Sequence, residues 1–76
     1  MEELVKYIVE SLVSNVEDVK VVSEEDGDVV VIRVNVNPSD VGKVIGKNGK
    51  IATSIRAIVK SASAKSGKRY IVKIDN

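Results

Sequence analysis

Apolar residues recur along this chain with two different periods, and each change of period marks a change of element. Leu4, Val5, Ile8, Val9, Leu12 and Val13 fall at helical spacing and predict an opening helix from about Glu2 to Ser14, with Tyr7 off its apolar stripe. Val16 to Ser23 is rich in valine and predicts a strand. Glu24-Glu25-Asp26-Gly27-Asp28 then predicts a turn. From Val29 to Val36 the pattern alternates, with Val30, Ile32, Val34 and Val36 on one face and Arg33 and Asn35 on the other. The two strands are expected to pair as an antiparallel hairpin.

Asn37-Pro38-Ser39-Asp40 ends the second strand and starts a helix, with proline near the first turn and Ser39 or Asp40 as the cap. That helix is short, from about Val41 to Ile45. After the run Ile45-Gly46-Lys47-Asn48-Gly49-Lys50, helical spacing resumes at Ile51, Ile55, Ile58, Val59 and Ala62, an isoleucine-rich stripe read as core. Gly67 closes the longer helix. Arg69 to Ile74 alternates again, with Tyr70, Val72 and Ile74 on one face. Two helices between the second and third strands make a connection long enough for a crossover, which places those strands parallel. The predicted fold class is α+β: an αββααβ order in one domain spanning residues 1–76, with a mixed three-stranded sheet covered on one face by three helices.

Composition narrows the chemistry. Hydrophobic residues make up 43% of the 76 positions and charged residues 30%, which suits a small core and neither disorder nor residence in a membrane. The opening MEELVKYIVE is acidic and interrupted by charges, unlike a signal peptide or a spanning helix, so a cytoplasmic location is expected. Cysteine and histidine are both absent, which removes disulfides, thiolate metal sites and the commonest general base. A net charge of +1 conceals a division: residues 1–40 hold Lys6, Lys20 and Arg33 against ten carboxylates, and residues 41–76 hold nine Lys and Arg against Asp75 alone. A basic half centred on a glycine-rich loop is the electrostatic footprint of polyanion binding.

Gly46 and Gly49, with Lys47 and Asn48 between them and Lys43 and Lys50 at either side, leave the backbone free to approach a phosphate. The loop ends where a helix begins, so unpaired N–H groups and the positive end of the helix dipole point at the ligand. Other phosphate loops fail on spacing. Walker A needs four residues between its glycines and then Lys-Ser or Lys-Thr, and no G-x-G-x-x-G occurs. The carboxylates show no metal-ligand pattern. No enzyme activity, metal or cofactor is expected.

Val44-Ile45-Gly46-Lys47-Asn48-Gly49-Lys50-Ile51, followed by Ile55, resembles the core signature of the KH domain, in which VIG, two variable residues and a glycine join two helices. The element order is similar to the type II, prokaryotic, arrangement of that family, and the resemblance covers nearly the whole chain. It implies capture of about four nucleotides of single-stranded RNA, with the glycine loop gripping the backbone at one side of a groove. The residues expected in RNA binding are Lys43, Gly46, Lys47, Asn48, Gly49 and Lys50 around the loop, with Val44, by helical phase, as the apolar floor on which bases lie and Ser54 and Ala57 flanking the core stripe of the next helix, where their small side chains leave room for a base. Arg56 and Lys60 share a helix face and suit flanking phosphates, as they also suit a solvated surface. Tyr7 and Tyr70 are the only aromatics, which argues against domains that stack bases on aromatic platforms.

The short bacterial single-domain members of the KH family, which this chain resembles in length, imply a role as an RNA chaperone or post-transcriptional regulator linked to cell elongation and division. The rival reading belongs to another class: a protein-interaction module. It would form a homodimer or dock a larger KH-containing partner through apolar or small helix faces that include Ala57, Ser61 and Ala64, with RNA secondary.

Overall fold

The computed structural model describes residues 1–75, and among them three α-helices and three strands follow in the order αββααβ. Helix α1 spans Glu2–Glu10, β1 Lys20–Asp26, β2 Val29–Asn35, α2 Val41–Ile45, α3 Lys50–Ala62 and β3 Arg69–Asp75. β2 lies at the centre of the sheet. β1 joins it antiparallel, with Val21 opposite Val34, and β3 joins it parallel, with Val72 opposite Ile32. The crossover read from chain length is therefore the one the molecule makes.

The inward face of β2 supplies Val30, Ile32 and Val34, and β3 adds Val72. Over them lie Val5 and Val9 of α1, Val44 of α2, and Ile55 and Val59 of α3, in one continuous core. Ile8, Leu12, Ile51, Tyr70 and Ile74 pack at its margin. The alternating pattern of β2 and the stripe of α1 thus bury against each other as their periods require.

Two boundaries differ from those read in the sequence, for a shared reason. The opening helix stops at Glu10 rather than Ser14, and the segment Val16–Asp18 forms a short 3-10 turn instead of the start of a strand. The carboxylate of Asp40 accepts hydrogen bonds from the main-chain N–H of Ser14 at 3.1 Å and of Asn15 at 3.0 Å. Those amides are lost to a helix, and the chain is pinned until Val19. β1 consequently forms later and carries its pairing through the acidic run to Asp26. A turn of Gly27 and Asp28 closes the hairpin. The acidic side chains find partners across the sheet: Glu24 meets Arg33 at 3.0 Å, and Glu25 meets Lys68 at 3.0 Å. Both pairs hold the pKa of the cation above its ordinary value, chiefly through the hydrogen bond to the carboxylate.

Candidate nucleic-acid interface

The approach to the glycine loop is built by a polar anchor. Asn37 accepts at its side-chain oxygen from the Ser39 N–H at 2.9 Å and the Ser39 hydroxyl at 2.8 Å, fixing a 3-10 turn at Pro38–Asp40. Neither Ser39 nor Asp40 caps α2 through its side chain, contrary to the sequence expectation, because Asp40 points into the fold. Burial by itself would raise the Asp40 carboxyl. Hydrogen bonds from the Asn15 side chain, from the main chain of Asn15 and Ser14, and from Lys43 outweigh it and hold the pKa at about 2. The carboxylate therefore ties α2 to the segment after α1.

From that anchor α2 runs for five residues and ends when the Gly46 N–H reaches the Gly42 carbonyl at 2.9 Å. Three residues of the loop then take positive φ: Gly46 at 78°, Asn48 at 58° and Gly49 at 73°. Asparagine is among the few side chains that tolerate this region. The two glycines have different duties. A Cβ on Gly46 would lie 2.5 Å from Ile51 Cγ1 and 2.8 Å from Ile51 Cβ, whereas one on Gly49 would meet nothing within 4 Å. Gly46 lets the loop close against α3, and Gly49 opens outward. No side chain caps the start of α3; the Gly49 N–H donates to the Gly46 carbonyl at 3.2 Å and the Lys50 N–H to the Lys47 carbonyl, while the side chains of Lys47 and Lys50 stand exposed at the same turn.

Around the helix axis, at about 100° per residue, α3 presents four distinct sides. Ala52, Ile55 and Val59 face the core. Arg56 and Lys60 flank them on the side of β3, where they line a cleft of about 600 Å³ whose other wall is residues 67–72. Ser54 and Ala57 occupy the solvent ridge, with the Ser54 hydroxyl turned back to the Lys50 carbonyl at 2.9 Å. Ile58 stands on the flank away from β3, 45% exposed.

The structure brings Gly46, Lys47, Asn48, Gly49 and Lys50 together in one turn and leaves Ser54 and Ala57 on the ridge above the cleft rather than on its walls. Val44 is corrected outright. It is 0% exposed within the core, so it has no surface to offer a base; the exposed apolar neighbour in α2 is Ile45. The isoleucine stripe is corrected too, since Ile58 is not core. Lys43 points at the Ser14 hydroxyl and Asp40 and is thereby partly neutralised. Among the described residues, Lys47, Lys50, Arg56, Lys60 and Arg69 have no carboxylate partner. Sequence reading missed the β3 wall of the cleft, above all Tyr70 and Val72. The available signal was the crossover itself, which leaves the third strand at an edge beside the helix that precedes it.

A short helix-turn-helix of this kind, set into the crossover between two parallel strands, defines the type II KH domain, and that is the class of the fold. A sequence model described as the KhpA/KhpB KH domain matches residues 2–74, and the chain belongs to that family. It is 45% identical over 74 residues to the RNA-binding protein KhpA of Clostridium perfringens, covering 97% of this chain and 99% of that one. Identity to the RNA-binding protein KhpA of Caldanaerobacter subterraneus subsp. tengcongensis is 47% over 74 residues, with the same 97% and 99% coverage. The RNA-binding protein KhpA of Bacillus subtilis is 41% identical over 69 residues, covering 91% of this chain and 85% of that protein.

Proposed function

We propose that this chain captures single-stranded RNA without catalysis, holding the sugar-phosphate backbone at the Gly46–Gly49 turn and laying bases along α3 into the cleft beside β3. The observation that carries this reading is the outward Gly49 with open space around it, beside the start of α3 and the exposed Lys47 and Lys50, which have no carboxylate partner among the described residues. Arg56 lies seven residues beyond Gly49, about 10 Å along the helix, so the loop and the cleft fit one strand of a few nucleotides. Relatives that are RNA-binding proteins over the same length support the reading. In the cell it places the protein in the cytoplasm as an RNA chaperone or post-transcriptional regulator linked to cell elongation and division.

The decisive experiment replaces Lys47 and Asn48 together by aspartate. Both are exposed, and aspartate tolerates the positive φ of Asn48, so the circular dichroism spectrum and melting temperature should stay close to wild type. Fluorescence anisotropy with short RNA pools should show binding collapse. Equal affinity in the two proteins would refute the loop assignment.

A second reading is favoured by Ile58, whose exposed side chain adjoins the small residues Ser54, Ala57 and Ser61 on α3. Such a strip suits close approach of a second helix, either in a homodimer or in a complex with a larger KH-containing protein. Pairing two weak RNA grooves raises avidity without new base contacts. Sedimentation of wild type and Ile58→Asp tests it. A monomeric wild type at tens of micromolar counts against self-association.

A further inference from the structure

The sheet has two faces, and the helices cover one of them. Val30, Ile32, Val34 and Val72 lie beneath the helices, so by alternation Val29, Val31 and Arg33 of β2 and Arg69, Ile71 and Lys73 of β3 turn to the other side. Parallel strands are as a rule covered on both faces and then read as unbroken apolar runs. Val29-Val30-Val31-Ile32 and Tyr70-Ile71-Val72 read that way, and β2 with β3 is the parallel pair. The outer face is left to solvent all the same: Val22 is 49% exposed, and Val29, Val31 and Ile71 are partly exposed.

Charge on this face is ordered by row. Asp26, Val29 and Arg69 stand side by side across the three strands; then come Glu24, Val31 and Ile71, then Val22, Arg33 and Lys73, and last Lys20, Asn35 and Asp75. Arg33 is neutralised within the chain, 3.0 Å from Glu24 and 3.4 Å from Asp75. Asp26, Arg69 and Lys20 have no oppositely charged partner among the described residues. At one end of the face acid on β1 stands across from base on β3, and at the other end base on β1 stands across from acid on β3. A half-turn about β2 exchanges the two margins and keeps the rows.

We propose that a second copy of this chain covers the outer face, sheet against sheet, about a two-fold axis running along β2. Asp26 of each copy then meets Arg69 of the other, Lys20 meets Asp75, and Val29 and Val31 meet their own counterparts. A two-fold axis across the strands would instead set Val31 on Arg33 and lose the apolar centre. Three strands of seven residues offer a footprint of about 23 Å by 14 Å, on the order of 300 Å² per copy. Stable interfaces take about 800 Å² per partner, so this pair is transient and forms at roughly 100 µM to 1 mM. The helices and the glycine loop between them lie on the opposite side of the sheet, so the pairing is independent of RNA capture and of the Ile58 strip, and it leaves both loops free.

Sedimentation of the full chain from about 20 µM to about 1 mM, with amide NMR spectra on the same dilution series, tests it. Wild-type mass should rise from monomer toward dimer, and the amides of Val29, Val31 and Ile71 should shift with concentration. Asp26 and Arg69 are both exposed. Asp26→Lys should weaken association about tenfold or more, because it sets like charges together twice, and Arg69→Asp should do the same. Asp26→Lys combined with Arg69→Asp should restore it, since the exchanged charges again match; a general loss of fold would not be rescued in this way. Ile58→Asp should leave it unchanged. A monomeric wild type at about 1 mM would overturn the proposal and leave the face to a different protein. Shifts confined to α3, association abolished by Ile58→Asp, or an exchange of charges that fails to rescue would overturn it as well.

Discussion

Alanine at Gly46 should strike mainly at the fold and alanine at Gly49 mainly at RNA binding, although the two glycines look alike in the sequence. At Gly46, φ is 78° and ψ is 174°, a region open essentially to glycine, where another residue costs about 1–3 kcal/mol. The added Cβ would also stand 2.5 to 2.9 Å from three carbons of Ile51. One of those is the Ile51 Cβ, which no rotamer change moves away, so overpacking adds about 1–3 kcal/mol. The sum, roughly 2–6 kcal/mol, compares with a total stability of about 4–11 kcal/mol for a domain of this size. At Gly49, φ is 73° and ψ is 13°, the left-handed helical region, where alanine costs about 1–2 kcal/mol, and the new methyl meets nothing. For a small domain each kcal/mol shifts melting by about 4–8 °C. Gly49→Ala should therefore melt about 5–15 °C low yet fold fully. Gly46→Ala, at about 4 kcal/mol in the middle of its range, should melt about 16–32 °C low. Urea and thermal unfolding followed by far-ultraviolet circular dichroism measure both. Anisotropy on folded Gly49→Ala should show RNA affinity down by about tenfold, because the methyl occupies the space left for the strand. Equal destabilisation by the two substitutions, or a Gly46→Ala protein within about 1 kcal/mol of wild type, would refute this division of labour.

Salt should weaken RNA binding with a slope of log K against log salt near about −2, since a strand of four nucleotides presents about three phosphates and each contributes about −0.7. A slope near zero would remove the electrostatic part of the proposal. Asp40 predicts the acid limb of stability. Its folded pKa of about 2 lies below the ordinary value, so its contribution is complete above about pH 4 and is lost as pH falls toward 2. Asp40→Asn should be less stable at neutral pH and should lose less between pH 4 and 2 than wild type; parallel loss in the two proteins would refute it. Val44→Ala should cost about 2 kcal/mol, since it empties a fully buried site, and Ile58→Ala less than about 1 kcal/mol, which urea midpoints decide.

The start signal at Asn37-Pro38-Ser39-Asp40 and the glycine loop bounded α2 at Val41–Ile45, and the period of the apolar residues located α3 and the alternation of β2 and β3, because each depends on local sequence alone. Chain length across the crossover gave the parallel pairing of β2 with β3. The GKNG turn was legible for a similar reason: positive φ at glycine and asparagine is a property of those residues, and the turn uses it at Gly46, Asn48 and Gly49. Period failed where a distant polar group intervened. Asp40 captured Ser14 and Asn15 from across the fold, shortening α1 and delaying β1, and spacing carries no trace of such a contact.

Sequence by itself thus determined the elements, their order, the loop and the division of charge. Only the tertiary structure decided which glycine is hemmed in by Ile51, which apolar neighbour of the loop is core, and that Arg56 faces β3 while Ile58 faces away. Helical phase says which residues share a side. What that side meets is settled only when the sheet, the other helices and a buried carboxylate have taken their places around it.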